Sequence, residues 1–349
     1  MTPELSRAGI EAVDPQGMLA DVLAQPHQLT DALWRVESAA IEPAARPGGL
    51  VVCGMGGSAV GADLAAAAIG DRARAPIATA RGYAPPPWVG PDTLVVCASY
   101  SGGTEETLAA FEAAGAAGAA RVALTTGGAL AEAARAADVP VIGVPAGFQP
   151  RAAVAYMTVA ALECAALCGA APSLRSEIES AASLLGKLVE EWGPDAADDS
   201  EAKALAQVMV GTVPVIYGAG STAAVAARWK TQVNENAQRP AFHTPLPEGN
   251  HNEIEGWPAS AGSEPPFSAF FLESPDQHPR MARRVELMAA IVAASAARPE
   301  RVAALGETPV EHVLSLVFLG DLVSVYRAAL EGTDPTPVRA IEGFKADLG

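Results

Sequence analysis

The chain has 349 residues, of which 50% are hydrophobic and 18% charged, and its formal net charge is −17 at pH 7. Such a composition predicts a globular protein with a large core, most naturally divided into two domains. The strong negative charge would repel the phosphate backbone of nucleic acids, so we expect no nucleic-acid partner.

After about 45 residues with apolar positions at helical spacing, short apolar runs alternate with helical patterns. Turn residues such as glycine and serine follow most of these runs. In the first half of the chain the pattern predicts strands at 50–53, 76–80, 93–98, 121–125 and 139–144. Strands that alternate with helices imply a parallel sheet covered by helices on both faces.

The second half of the chain repeats this pattern after residues 194–200, which are rich in Pro, Ala and Asp. A strand, a glycine turn and a serine occur at 52–58 and again at 216–221, which predicts a duplicated α/β unit. Further strands are predicted at 213–217, 267–272 and 301–305, and helices at 222–236, 279–297 and 310–331. The predicted organisation is a helical segment at 1–45, a first subdomain at 46–193 and a second at 200–349.

A loop of hydroxyl residues and glycines, residues 99–107 (the serine loop), joins a predicted strand to a predicted helix. Glycines let the backbone approach a ligand, and hydroxyls together with the first N–H groups of a helix can bind an anion. The loop therefore predicts a phosphate site. An ordinary helix N-cap is the alternative, in which Ser101 or Thr104 caps the helix and Glu106 or Thr107 completes a capping box.

The glycine turn after the first strand, Gly54-x-Gly56-x-x-Ala59, loosely fits a dinucleotide-binding fingerprint. The next strand ends near Arg81 and not at the acidic residue that would bind a ribose. An arginine at this place can bind a 2′-phosphate, so an NADP enzyme stays open as an alternative. A nicotinamide fold does not need the additional serine loop. A serine hydrolase is also disfavoured, since neither Ser58 nor Ser221 lies in a Gly-x-Ser-x-Gly motif.

Two segments of the second half carry residues suited to proton transfer. Glu235 lies between two asparagines near the end of a predicted helix, where a solvated helix end is the alternative interpretation. Residues 247–257 contain one His, three Glu and two Asn, and an imidazole near carboxylates suits acid–base chemistry at neutral pH.

A metal site is the competing interpretation of this second segment, because it and the residues just before it contain four side chains of the kinds that bind metals: His243, Glu248, His251 and Glu253. None of them falls in a His-Glu-x-x-His pattern and no cysteine accompanies them. We therefore predict no metal ligands in this chain.

The C-terminal segment places Thr336 between two prolines, ahead of a helical pattern with apolar residues at 341, 344 and 348. Lys345 lies within that pattern as a cation in an acidic chain. A surface lysine near a helix C-terminus, where the helix dipole favours it, is the alternative interpretation.

The four cysteines, Cys53, Cys97, Cys164 and Cys168, lie in apolar runs and are predicted to be buried free thiols. The N-terminus lacks the basic and apolar regions of a secretion signal, and no apolar run stands out as a membrane span, although residues 152–171 come closest. We expect a cytoplasmic protein without a membrane partner.

Together these segments resemble the bifunctional phosphoglucose/phosphomannose isomerase family of the sugar-isomerase (SIS) domain superfamily, from about residue 49 to the C-terminus. The matching motifs are Gly54–Ser58, Ser99–Thr107, Pro150–Ala152, Asn234–Asn236, Asn250–Ile254 and the tail with Thr336 and Lys345. The resemblance implies an α/β fold of two doubly wound SIS-type subdomains, each a parallel sheet flanked by helices. It also implies a homodimer with sites at the interface.

The resemblance implies roles for single residues. The substrate phosphate would be held by Gly57, Ser58, Ser99, Ser101 and Thr104. Glu235 would move a proton between C1 and C2, and Arg151 would lie against the enediolate. His251 from the partner subunit and Lys345 would assist ring opening, and Thr336 would allow the mannose epimer. One departure is Gly103, which stands where the family loop usually has Asn but keeps its backbone N–H.

The implied activity is the interconversion of glucose 6-phosphate, mannose 6-phosphate and fructose 6-phosphate through an enediol(ate), without a metal or other cofactor. Such a reaction needs one carboxylate base, an acid–base group that opens the sugar ring, and donors for the developing oxyanion. The alternatives are a non-catalytic SIS protein that binds phosphosugars for regulation and an enzyme for another phosphosugar, such as an amino sugar.

Overall fold

The structure is a computed structural model that describes residues 5–264, 266–295 and 297–348. These residues form two compact units, each containing one parallel sheet. The five-stranded unit comprises Ala24–Leu185 and Gly306–Leu314. The four-stranded unit comprises the described parts of Met1–Leu23, Gly186–Leu305 and Ser315–Gly349. The predicted α/β class, with two parallel sheets flanked by helices, is confirmed.

The strands and helices alternate along most of the chain. The strands are β1 (Gly49–Gly54), β2 (Ile77–Ala80), β3 (Thr93–Ala98), β4 (Ala120–Thr125), β5 (Val141–Gly143), β6 (Val213–Ala219), β7 (Phe242–Leu246), β8 (Phe267–Glu273) and β9 (Arg298–Ala303). The helices are α1 (Arg7–Glu11), α2 (Met18–Leu23), α3 (Gln25–Ser38), α4 (Gly56–Ile69), α5 (Glu105–Ala116), α6 (Gly128–Ala136), α7 (Val154–Leu167), α8 (Arg175–Trp192), α9 (Glu201–Met209), α10 (Ser221–Asn236), α11 (Arg280–Ala294), α12 (Pro309–Leu330) and α13 (Arg339–Leu348).

The subdomain boundaries expected from sequence, 1–45, 46–193 and 200–349, stay predictions. The two compact units differ from them in two respects. They divide the N-terminal helices after Leu23, and they assign Gly306–Leu314 to the five-stranded unit.

The five-stranded sheet has the order β2-β1-β3-β4-β5, and all of its pairings are parallel. β1 and β3 are buried at every position, as their apolar sequences require in a sheet covered on both faces. From β1 the chain first forms β2 on one side and then β3 on the other. The carboxyl ends of β1 and β3 therefore lie at the topological switch point, where open α/β sheets bind ligands.

The four-stranded sheet has the order β7-β6-β8-β9 and is also parallel, with its switch point between β6 and β8. Within this unit, α10 passes close to the part of α12 that begins at Ser315. The buried Trp229 donates its indole N–H to the Leu316 carbonyl at 2.8 Å. A Cβ atom on Gly320 would lie 2.1 Å from the Trp229 Nε1 atom, so only glycine permits this approach.

Helix α12 is the most membrane-like segment of the described chain, with a mean hydropathy of 1.7 and 22 residues. This corrects the expectation that residues 152–171 come closest, because the helix formed there, α7, has 14 residues. Within α12, 94% of the most apolar window is buried inside the protein, as is typical of a core helix.

The two edge strands of the four-stranded sheet differ most from the sequence prediction. β7 is absent from that prediction, and β9 begins and ends earlier than the strand predicted at 301–305. Both carry polar residues or proline, and β7 is largely exposed. Edge strands tolerate such residues because one side of their backbone has no neighbouring strand.

Candidate functional site

Two loops meet at the switch point of the five-stranded sheet: the turn between β1 and α4, and the serine loop between β3 and α5. The backbone N–H of Tyr100 donates a hydrogen bond to the Ser58 hydroxyl at 3.1 Å. The structure therefore brings the predicted phosphate-binding turns together at one edge of the sheet.

The Ser99 hydroxyl folds the serine loop. It is almost completely buried and accepts hydrogen bonds from the backbone N–H groups of Gly102 at 3.1 Å and Thr104 at 3.4 Å. It also lies 2.7 Å from the Thr104 hydroxyl. The exposed Ser101 accepts a hydrogen bond from the Gly103 N–H at 3.3 Å. Ser99 thus gives the loop its shape, and Ser101 lies at its surface.

The capping alternative for the serine loop does not describe the observed bonds. Thr104 occupies the N-cap position of α5, but its hydroxyl contacts Ser99 and makes no capping bond. Met55, the N-cap residue of α4, has no capping side-chain bond either. Two helices of the described chain therefore begin at this switch point without a side-chain cap, and helix N-termini bind anions through their first N–H groups.

Two glycines are required by close backbone approaches. A Cβ atom on Gly57 would lie 2.9 Å from the Pro150 carbonyl oxygen and 3.1 Å from the Arg151 Cα atom. Gly102 has φ +69°, and a Cβ atom there would lie 1.8 Å from the Gly127 oxygen. Gly57 thus lets the start of α4 pass against the turn that carries the buried Arg151.

Tyr100 connects the serine loop to residues 145–148, which lead into the turn that carries Arg151. Its hydroxyl donates to the Pro145 carbonyl at 3.1 Å and accepts from the Phe148 N–H at 2.8 Å. Its own carbonyl accepts from the Thr126 hydroxyl at 2.8 Å. This role of Tyr100 was not predicted from the sequence. The signal that the sequence offers for it is the position of the tyrosine between Ser99 and Ser101.

In the four-stranded unit, Glu235 lines a cavity at the end of α10. The flanking amides are used structurally: Asn234 donates to the Arg239 carbonyl at 2.8 Å, and the buried Asn236 donates to the Ser324 hydroxyl at 2.9 Å. The half-buried Glu235 lies in the wall of a cavity of about 580 Å³. The other walls are formed by residues 234, 238–240 and 337–341.

The segment around Thr336 is bound to Gln238, which follows the end of the same helix. The Gln238 amide donates to the carbonyls of Asp334 at 3.1 Å and Pro337 at 3.4 Å. The N–H of the buried Thr336 donates to the Asp334 carboxylate at 3.0 Å. Residues 337–341 of this segment therefore line the same cavity as Glu235, whereas Thr336 does not line it.

Helix α13 forms as predicted, but its apolar residues are not buried by the described chain. Ile341, Phe344 and Leu348 are 42%, 68% and 64% exposed. Lys345 is exposed on the same helix and does not line the Glu235 cavity.

His251 ends a 3₁₀ turn, Glu248–His251, and is exposed. Its ring has no hydrogen-bond partner within the described residues. The four side chains considered as metal ligands do not converge: among the described residues, no group of three or more His, Cys, Asp or Glu side chains could hold an ion. Glu253 instead accepts hydrogen bonds from the hydroxyls of Tyr217 and Thr244.

The electrostatics of this segment follow from burial. Burial, together with the nearby Lys230, lowers the pKa of His243, although Glu253 opposes the effect. Burial, reinforced by the hydrogen bond to Glu253, raises the pKa of Tyr217. Both side chains are therefore neutral at pH 7.

Comparisons with known proteins agree with these observations. Residues 198–348 match the family described as "Bacterial phospho-glucose isomerase C-terminal SIS domain". Two proteins named bifunctional phosphoglucose/phosphomannose isomerase are each 36% identical over 301 residues, or 86% of this chain. They come from Caldicellulosiruptor bescii and Aquifex aeolicus, and the match covers 89% and 90% of their lengths.

Among solved structures, a hypothetical protein from Thermus thermophilus superposes with a TM-score of 0.71 at 14% identity. The superposition covers 95% of this chain and 90% of that one. At this identity the likeness bears on the fold alone, and it agrees with the two parallel sheets described above.

Proposed function

The chain belongs to the bifunctional phosphoglucose/phosphomannose isomerase family, and from this premise we propose that it interconverts glucose 6-phosphate, mannose 6-phosphate and fructose 6-phosphate. The observation that carries the proposal is the serine loop, whose hydroxyls and backbone N–H groups lie beside the turn between β1 and α4 at the switch point. The chain also holds a glutamate in the wall of a cavity. An anion site and a carboxylate base are the two groups that this isomerisation needs most.

The phosphate would be bound by the backbone N–H groups of the serine loop and the first turns of α4 and α5. Ser58, Ser101 and Thr104 would add hydroxyl donors, and Gly57 and Ser99 would keep the backbone in the required shape. In a chain with a net charge of −17, such a local set of dipoles attracts an anion where the overall field does not. Binding at the phosphate orients the distant carbons that react.

Glu235 would act as the base. It takes the proton from C2 of the open-chain aldose, and the electron pair of that bond forms the double bond of an enediolate while the C1 oxygen accepts charge. The proton then returns to C1, the proton of the C2 hydroxyl passes to the C1 oxygen, and the C2 carbonyl of the ketose forms. Glucose and mannose 6-phosphates share this enediol, so one carboxylate would serve both provided that the C2 end of the intermediate rotates, and Thr336 would accommodate the mannose epimer. No metal or redox cofactor enters this series of steps.

Arg151 would stabilise the enediolate oxygen, because a guanidinium offers fixed donors to a developing negative charge. His251 and Lys345 would assist opening of the sugar ring. We extend the proposal to a homodimer in which His251 serves the partner's site. The exposed ring of His251 and the exposed apolar residues of α13 support this extension. All four cysteines are free thiols, which supports a cytoplasmic location.

A coupled assay with fructose 6-phosphate, run with and without a metal chelator, tests the proposal. We expect formation of both aldose phosphates at rates that the chelator leaves unchanged. Binding of the phosphosugar without turnover would instead indicate a regulatory SIS protein. Turnover confined to an added amino-sugar phosphate would indicate a different substrate.

A further inference from the structure

The segment that carries His251 contains no α-helix or strand but is held to the sheet both before and after His251. It consists of two 3₁₀ turns, Glu248–His251 and Glu253–Gly256. Before His251, a Cβ atom on Gly249 would lie 3.0 Å from the Thr244 methyl, so this turn packs directly against β7. After His251, the attachment runs through Glu253.

The Glu253 carboxylate binds two neighbouring strands at once. One oxygen accepts a hydrogen bond from the hydroxyl of Tyr217, which belongs to β6, and the other accepts from the hydroxyl of Thr244, which belongs to β7. Tyr217 is fully buried and stacks on Phe271 with ring centroids 4.9 Å apart. The anchor to which Glu253 is attached is therefore part of the rigid core of the sheet.

The neighbouring Trp257 determines which way the Tyr217 hydroxyl donates. The Trp257 indole N–H can only donate, and it donates to the Tyr217 hydroxyl at 2.9 Å. The Tyr217 proton is therefore directed to Glu253, which accepts it. Asn252, the residue between His251 and Glu253, is held by two further hydrogen bonds. Its amide N–H donates to the Glu248 carboxylate at 2.7 Å, and its amide oxygen accepts from the Glu253 N–H at 2.6 Å.

We propose that Glu253 is a positioning residue that holds the backbone of His251 at the place from which its ring acts on the substrate. The inference rests on the proposed function, because it presumes that His251 takes part in ring opening. Glu253 would contribute through its two hydrogen bonds, which attach the residue two positions after His251 to β6 and β7. A displacement of about 1 Å in a reacting group can cost roughly 100-fold in rate.

The test compares Glu253→Ala with Glu253→Gln. The glutamine retains an acceptor for Tyr217, and its amide can donate to Thr244 if that hydroxyl reverses its direction. We expect Glu253→Ala to lower kcat by roughly 10- to 100-fold, with little change in KM for the phosphosugar, and Glu253→Gln to retain most of the activity. An equal loss in both variants would show that the charge acts directly and would overturn the proposal.

A double-mutant cycle with His251→Ala separates positioning from general damage to the fold. We expect Glu253→Ala to cause no further loss of kcat in the His251→Ala background, because the group it positions is already gone. The full additional loss in that background, or undiminished activity of His251→Ala alone, would contradict the inference. Glu255→Ala is the matched control, since Glu255 is an exposed glutamate of the same turn without a side-chain partner among the described residues.

Hydrogen–deuterium exchange of residues 248–256 gives a readout that does not require activity. We expect faster exchange in Glu253→Ala and unchanged exchange in Glu253→Gln and Glu255→Ala. Unchanged exchange in Glu253→Ala would overturn the proposal. Absent turnover in the wild type would overturn the proposed function, and the exchange measurement alone would then decide whether Glu253 holds this segment in place. If Glu253→Ala does not fold, Thr244→Val removes one of the two hydroxyls that donate to Glu253, and Thr244→Ser keeps it. We then expect in Thr244→Val the losses described for Glu253→Ala, and in Thr244→Ser the behaviour described for Glu253→Gln.

Discussion

Gly103 is the residue at which this chain departs from the family pattern of the serine loop. A Cβ atom at this position would meet no atom within 4 Å, and its φ angle is not in the left-handed region. Ordinary side chains can therefore occupy the position without strain. The glycine costs conformational entropy that a larger residue would not cost.

We predict that Gly103→Asn raises the free energy of unfolding by up to about 1 kcal/mol and leaves KM for the phosphosugar within roughly twofold. Chemical denaturation and steady-state kinetics check both numbers. Gly102→Asn is the contrasting variant, because a Cβ atom there would lie 1.8 Å from the Gly127 oxygen. A Gly103→Asn variant as damaged as Gly102→Asn would show that the loop has a different conformation.

Among the elements, those that could be predicted from sequence are the buried ones. β1, β3 and β6 are continuous apolar runs followed by glycine or serine turns, and such runs indicate parallel strands covered on both faces. β7 could not be predicted because it is a short edge strand with a proline and exposed positions. Its burial pattern depends on neighbours that are distant in sequence.

The candidate site shows the same division. The family resemblance implied that the two turns at residues 54–58 and 99–104 bind one phosphate, and the structure places them together. The strand order that forms the switch point could not be predicted from the alternation of strands and helices alone. The role of Tyr100 could not be predicted either, because its partners lie 45 and 48 residues further along the chain. Nor could the attachment of Glu253 to β6 and β7, because the sequence pattern does not reveal the second of these strands.

Tyr100 joins two loops, so we predict that Tyr100→Phe loosens the segment from Pro145 to the Arg151 turn. The variant leaves the Pro145 carbonyl and the Phe148 N–H without their partner and lowers the free energy of unfolding by about 1–2 kcal/mol. KM for the phosphosugar rises. Tyr83→Phe, in which an exposed phenol is changed, is the control for denaturation measurements. Equal stability of the two variants would refute this role.

At the scale of the whole molecule, stability depends on pH through a half-buried carboxyl near the N-terminus. Asp14 caps α2 by accepting hydrogen bonds from the N–H groups of Met18 at 2.8 Å and Leu19 at 2.7 Å. Burial and the repulsion of Asp14 raise the pKa of Asp21 to about 6. Because this pKa is raised on folding, the Asp21 carboxyl destabilises the fold as pH increases from about 4 through 6.

We predict that Asp21→Asn stabilises the protein at pH 7.5 by about 1–2 kcal/mol and has almost no effect at pH 4, where the carboxyl is largely protonated in the folded state and partly so in the unfolded state. Denaturation curves of both proteins across this pH range measure the difference. A stability difference that stays constant with pH would show that Asp21 does not titrate in this way.

In the proposed reaction one glutamate, Glu235, moves the proton between the first two carbons of a phosphosugar. The most direct measurement is the incorporation of deuterium from D₂O at C2 of glucose 6-phosphate by the wild type, by Glu235→Gln and by the control Glu342→Gln, with phosphosugar binding measured in parallel. We predict exchange in the wild type and the control, and a loss of at least roughly 100-fold in Glu235→Gln with binding retained. Undiminished exchange in Glu235→Gln would contradict the account.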